Sequence, residues 1–370
     1  MAGITIEQAI DLGQATLEQF KQDDLQMTLK HQTYEVLNQW FDKDKVVLDG
    51  GDRVTRHISL RDTGNASHVR MYDVDTPNVA NVDETIKVEW THAKTSISYS
   101  LKELSMNEGN RQRIYNLLKQ RHDNAYREFA DLLEEAAWRT PTSSSDDLNP
   151  FGIPGWLVQP DTDPAEGVGD FTGYLGDYWS ASETSMATVG GIACSASTNP
   201  RWANYYEDHG GKLDSSLLKR LRRSFRKTKF QTPMFAKQAI DPQSNFSKFR
   251  LYTNSDVLDE LEEIAAKSDD KLGFDLGKYA GATIFKGVPF QYVDVLDDAK
   301  QYVYGSDPIF GVNHNHFYAI CLSGEYFRVN KPMSDVNQHD VLTVYIDLTY
   351  AYVNENRRTG GFLISNWETA

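Results

Sequence analysis

The sequence predicts an α+β chain built around one long helix, on three observations. Residues 107–139, NEGNRQRIYNLLKQRHDNAYREFADLLEEAAWR, hold no proline and only one early glycine, Gly109. The stretch before them switches to a period of two, the signature of half-buried strands. The stretch after residue 230 mixes short apolar strands with capped helices.

The chain is 370 residues long, enough for a sizeable core divided among subdomains. Hydrophobic residues make up 40% and charged residues 25%, with 19 Tyr and 17 Phe favouring strands and broad contact surfaces. A net charge of −15 argues against a general nucleic-acid binder, because it repels a phosphate backbone. The two cysteines, Cys194 and Cys321, make no disulfide framework and point to a reducing compartment. The N-terminus has no signal-peptide pattern, and no apolar run is long enough to span a bilayer.

Residues 4–45 read as a broken helical arm. Ile6, Ile10, Leu17, Phe20, Leu25, Leu29, Val36, Leu37 and Trp40 give it a thin apolar stripe that needs a partner surface from its own chain or a neighbour. Asp49-Gly50-Gly51-Asp52 is a turn. Val54, Ile58 and Leu60 then share one parity, as do Ile86, Val88 and Trp90, and later Ile97 and Tyr99. Residues 49–105 therefore read as an extended, half-polar ribbon, marginally stable alone.

In the long helix, Ile114, Leu118, Ala125, Phe129, Leu132, Leu133, Ala136 and Ala137 recur at helical spacing and predict one apolar face. Asn107 or Asn110 can cap its start, and Pro141 blocks its continuation. Residues 141–200 hold eight acidic residues and no Lys or Arg. With roughly a third Gly, Ser and Pro they read as ordered loops, and Trp156, Tyr174, Tyr178 and Trp179 anchor them.

Leu213–Phe230 reverses the charge. Leu217, Leu218, Leu221 and Phe225 form the apolar side of a helix capped by Asp214 or Ser215, and seven Lys and Arg fill the rest. A solvated face or one that pairs with acidic surface accounts for such a run, and so does contact with phosphates. Phe249–Tyr252 predicts a strand. Thr253-Asn254-Ser255 caps the acidic helix that follows. Thr283–Val295 predicts a hairpin turning at Lys286-Gly287, and strands follow at Phe317–Leu322 and Tyr326–Val329. LTVYIDLTYAYV, from Leu342, predicts a central strand buried on both faces.

No phosphate-binding loop, nucleophile elbow or dinucleotide fingerprint is present; Gly167, Gly169 and Gly173 miss the last by one position. His314 and His316 alternate on an expected strand, with His339 as a third candidate metal ligand. That set would suit a metal-dependent hydrolase, but no cysteine or carboxylate cluster completes it. The reading is a chain that is not an enzyme and carries no cofactor or metal.

The order of elements resembles the major capsid proteins of tailed bacteriophages, the fold named for phage HK97. Trp90 followed by Ser96-Ile97-Ser98-Tyr99-Ser100 and Glu103-Leu104-x-x-Asn107-x-Gly109 resembles the ribbon-to-helix junction of phage coats. Gly152-Ile153-Pro154-Gly155, Thr188-Val189-Gly190-Gly191-Ile192 and Asn199-Pro200-Arg201-Trp202-Ala203-Asn204 are similar to motifs that follow it. LYTNSDVLDELEEIA with FKGVPFQYVDVLD fits an axial-domain strand, helix and hairpin.

The resemblance implies an N-terminal arm over 1–48 and an extended β-ribbon, or E-loop, over 49–105. It implies a peripheral domain over 106–230 with spine helix 107–139 and insertion 141–200. An axial domain over 231–333 and a returning strand over 334–370 complete it. The implied function is self-assembly into an icosahedral shell around phage double-stranded DNA, in the virion after assembly in the host cytoplasm. An encapsulin-type shell of the same fold is the nearest alternative. The implied partners are copies of the chain in hexamers and pentamers, with scaffolding, portal and decoration proteins as further candidates and weak non-specific contact with packaged DNA. Arg53, Arg61, Arg70, Lys219, Arg220, Arg222, Arg223 and Arg226 are the expected inter-subunit or nucleic-acid contacts. No lysine, asparagine and glutamate align with the crosslinking trio of the type member, so no crosslinks are expected. The resemblance leads to the expectation that the arm is too short to hold a long cleaved scaffolding segment, so that either a separate scaffold exists or the sequence represents a mature form.

Overall fold

Buried and exposed side chains alternate along Thr91–Ser100, with Ala93, Ile97 and Tyr99 facing inward. That alternation makes a half-buried strand, and in the computed structural model it finds a partner far along the chain. The structure describes residues 34–43, 46–61, 63–66, 68–71, 81–102, 111–141, 148–159, 172–175, 188–193, 199, 201–228, 248–267, 276–279, 282–298, 304–335 and 338–367. It divides into two compact units.

The first unit holds residues 1–51, 90–137 and 319–351. Its sheet has six strands, led by the 17-residue strand Gln338–Asn354. Thr91–Ser100 pairs antiparallel with it, from Val341 opposite Ser100 to Tyr350 opposite Thr91. Val46–Leu48 lies parallel to Phe317–Leu322, while Arg328–Val329 and Met333–Asp335 pair with the long strand. Leu348–Val353 is buried on successive residues, as expected of a central strand.

The long helix runs over Arg111–Ala137, 27 residues. Ala125, Tyr126, Phe129, Ala130, Leu133, Ala136 and Ala137 are buried at helical spacing. Ala125 and Tyr126 share one cluster with Ile97, Tyr99, Leu342, Val344 and Ile346, so this face belongs to the subunit's own core. Leu132, expected on that face, is 44% exposed, because it lies off the line of buried residues. The expected caps Asn107 and Asn110 lie outside the described residues, as do the arm before residue 34 and the side chain of Ile114.

What is described of the arm is helical, Glu35–Leu37 continuing into wider π-type turns at Asn38–Lys43. Val36, Leu37, Trp40 and Phe41 are buried. The Leu37 amide donates to the Glu134 carboxylate at 3.1 Å, and the Tyr326 hydroxyl donates to the Phe41 carbonyl at 3.0 Å. Its partner surface is therefore its own chain.

The second unit holds residues 52–89, 138–318 and 352–370. Its main sheet has eight strands, in the order Leu276–Tyr279, Ala282–Phe285, Val288–Tyr292, Phe249–Thr253, Ser306–Asn313, Gly361–Asn366, Asn204–Asp208 and Thr172–Leu175. The expected hairpin turns at Lys286 and Gly287, both at positive φ, the conformation that matches the twist of a tight hairpin. The basic helix Ser215–Thr228 and the acidic helix Ser255–Lys267 pack on one core of Leu217, Leu221, Phe225, Leu251, Val257, Leu261, Phe285, Ile309 and Phe362. The expected caps form: Asp214 accepts from the Ser216 amide at 2.8 Å, and Asn254 from Val257 at 3.2 Å.

These units differ from the boundaries drawn on the sequence. Among the described residues Val54–Ser59 pairs only with Asp83–Val88, in a two-stranded hairpin of the second unit. Thr91–Ser100, read as part of the same ribbon, belongs to the first. Its inward Ile97 and Tyr99 are completed by Leu342, Val344 and Ile346, which a local reading of the ribbon could not supply. His314 and His316 also differ from expectation. They sit in a turn between two strands, closed by an Asn313 side chain that accepts from the Asn315 amide at 3.1 Å.

Candidate assembly surfaces

The hairpin of the second unit is buried at its root and exposed farther out. At its root Val54, Ile86 and Val88 are buried. The Lys87 amide donates to the Gly190 carbonyl at 2.8 Å, tying the hairpin to the small turn between Thr188–Val189 and Ile192–Ala193. A side chain at Gly190 would meet the Trp156 ring at 2.8 Å, so only glycine lets that turn close over the tryptophan. Farther out, residues 63–66 and 68–71 pair with no strand among the described residues, and Val69 and Met71 are 64% and 85% exposed. Large apolar side chains bared this way on an extended segment are what a contact surface needs.

The cations proposed from sequence fall into three groups. Arg53 meets Asp52 and Glu89, each at 3.4 Å, and Arg61 meets Glu84 at 3.0 Å and Asn199 at 2.9 Å. Those two tie the hairpin together. Arg220 donates to the Asp208 carbonyl, and Arg223 meets the fully buried Glu207 carboxylate at 3.1 Å. Burial pushes the Glu207 carboxyl up despite Arg223 and the Tyr205 hydroxyl beside it. Arg70, Lys219 and Arg226 are exposed, and Arg222 is half-buried.

His314 and His316 join no metal-holding group among the described residues. His314 is buried and its Nε2 meets the Tyr252 hydroxyl at 2.8 Å. Burial, with Arg250 and Lys248 nearby, drives its pKa down to about 3. Burial also lowers His316. No group of three or more His, Cys, Asp and Glu side chains able to hold a metal occurs among the described residues. The side chain of His339 lies outside them.

One buried group escaped the sequence reading. Arg357 is fully buried and donates to the Trp156 carbonyl at 3.0 Å, the Trp202 carbonyl at 3.1 Å and the Asn204 side chain at 2.8 Å. The Trp202 indole in turn donates to the Val189 carbonyl at 2.9 Å, and the Asn204 amide to the Val158 carbonyl at 2.9 Å. Trp156, next after the motif 152–155, and Trp202 and Asn204 of the motif 199–204 thus meet at one guanidinium, and the Trp202 indole links them to Val189 of the motif 188–192. The neighbouring aromatics were a signal, but an arginine in a polar stretch gives none for burial.

No family model matches the sequence, and no curated protein matches it. Solved structures do match. The capsid asymmetric unit of cyanophage A-1(L) aligns at TM-score 0.57 and 11% identity, over 87% of this chain and 90% of that one. The chain has the HK97-like capsid fold. The capsid of a native GTA particle aligns at TM-score 0.50 and 11% identity, over 91% of both chains. An encapsulin complex from Synechococcus elongatus aligns at 0.48 and 8%, over 91% and 90%.

Proposed function

We propose that this chain is a major capsid protein that self-assembles into an icosahedral shell enclosing phage double-stranded DNA. The observation that carries the reading is the capsid fold over 87% of the chain. The bare apolar segment at Val69 and Met71 supports it, because a lone subunit leaves that area in water. The work of such a protein is mechanical. Loops that are marginal alone gain stability on a neighbour, and obligate interfaces of this kind bury about 2,000 Å² or more. Pentamers and hexamers of the chain, in a virion assembled in the host cytoplasm, follow from this reading. Scaffolding, portal and decoration proteins are its further partners. The exposed cations Arg70, Lys219 and Arg226 are offered to neighbours or to packaged DNA, and a chain of net charge −15 holds DNA only weakly. Negative-stain microscopy of the expressed protein tests the reading. Uniform hollow particles are expected, and a monodisperse small species at all concentrations refutes it.

A further inference from the structure

Two helices of the second unit carry opposite charges at the same spacing. Lys219, Arg222, Arg223 and Arg226 stand at i, i+3, i+4 and i+7 along Ser215–Thr228. Asp256, Asp259, Glu260 and Glu263 repeat that spacing along Ser255–Lys267. Residues so placed share one helix face. On each helix the opposite face is buried, through Leu217, Leu221 and Phe225 on one and Val257 and Leu261 on the other, all in one core. Both charged faces therefore turn away from that core and toward solvent.

Part of each face has no ion-pair partner among the described residues. Arg223 uses its charge on Glu207, and the Arg226 Nε donates to the Arg222 carbonyl. Lys219, Asp256, Asp259, Glu260 and Glu262 enter no ion pair among the described residues. Like charges at i and i+4 repel one another, and each helix carries two such pairs on its face. The acids near the start of one helix and Arg226 near the end of the other suit their helix dipoles, but Lys219 and Glu263 gain nothing there.

We propose, on the strength of the shell reading, that the basic helix face of one copy docks against the acidic helix face of the next. The partner is a second copy, because DNA would answer the cations and leave the matching acids unexplained. Two different faces make a head-to-tail contact, which closes into rings when repeated around an axis. Charge pairing of this kind sets register and speeds encounter.

The test uses full-length chains with Lys219→Glu and Arg226→Glu, with Asp259→Lys and Glu260→Lys, and with all four changes together. Arg223 is kept because it serves Glu207. Folding is checked by circular dichroism, and particle yield by sedimentation and microscopy. Each two-residue variant should lower the yield about tenfold or more, and the fourfold swap should recover most of it. Mixing the two two-residue variants should also recover particles. The wild-type yield should fall on raising salt from about 0.1 M to 1 M. Wild-type yield from both two-residue variants would overturn the pairing, as would a fourfold swap as defective as its parents. Unchanged particles that retain less DNA when Lys219 and Arg226 are reversed would assign the basic face to DNA instead. A wild-type chain that never forms particles would sink the shell reading alone. The two-residue variants must then still associate with each other where each by itself stays monomeric, or the pairing falls too.

Discussion

Replacing Arg357 should destabilise the second unit severely, and the size of the effect can be worked from its contacts. Arg357→Met keeps much of the side-chain volume but deletes three hydrogen bonds, to the Trp156 and Trp202 carbonyls and to Asn204. Bonds from a charged donor contribute about 1.5–3 kcal/mol each. Relief from burying the guanidinium offsets several kcal/mol of that loss. The two carbonyls then stay buried without this donor, at about 1–3 kcal/mol each. A net loss of about 3–5 kcal/mol follows, the range seen when one partner of a buried charged network is removed. With a urea slope of about 3 kcal/mol/M, the unfolding midpoint should drop by about 1–1.7 M. Tryptophan fluorescence during urea titration of soluble subunits measures it. Arg357→Lys is the sharper variant, since it keeps the charge and loses the planar fork. If the lysine variant keeps the wild-type midpoint, the argument from directed hydrogen bonds is wrong.

Other outcomes can be checked with the same material. Replacing residues 62–80 by a short turn should leave folded subunits that form no shells, since the paired strands Val54–Ser59 and Asp83–Val88 remain; normal particles in the microscope would remove the loop from assembly. Leu133→Ala, in the buried face of the long helix, should cost about 2–5 kcal/mol by denaturant titration, whereas the exposed neighbour Leu132→Ala should stay within about 0.5 kcal/mol. Burial lowers the pKa of His122 to about 4 and of His314 to about 3, so both are neutral in the folded chain at pH 7. Their folded values lie below the unfolded one, about 6.5. Their contribution is therefore complete above that pH and is lost as pH falls toward 4 and 3. At pH 5 the loss from each is up to about 2 kcal/mol. His314→Gln should flatten that acid limb in urea midpoints measured from pH 7 to 5, and an unchanged limb would count against it.

The long helix and the two charged helices were legible because each carries its own instructions. Leu217, Leu221 and Phe225 recur at helical spacing, Asp214 and Asn254 sit where caps belong, and Lys286-Gly287 spells a tight turn. What stayed hidden depends on partners distant in sequence. Thr91–Ser100 has the same half-polar alternation as the hairpin strands before it, and only Val341–Tyr350 reveals which sheet it joins. His314 and His316 look like strand neighbours until the turn at Asn313 separates them from the ladder. Among the surfaces, local charge spacing could be read along each helix, but which Arg residues are already committed could not. Nothing in the sequence ties Arg223 to Glu207 or Arg61 to Glu84.

The pairing of Thr91–Ser100 with the long strand Gln338–Asn354 also sets a schedule. His92 meets Thr349 across 257 residues of chain. At ribosomal rates of about 5–20 residues per second, the early strand waits roughly 10–50 s for its partner. During that interval the apolar sides of Ile97, Tyr99 and Tyr126 lack Leu342, Val344 and Ile346. Contacts this distant also slow the closing of the fold itself. A nascent chain therefore cannot complete its first unit before the strand Gln338–Asn354 has been made. Subunits joining a growing particle would be finished ones, and the unfinished chain is the form that most needs protection from aggregation.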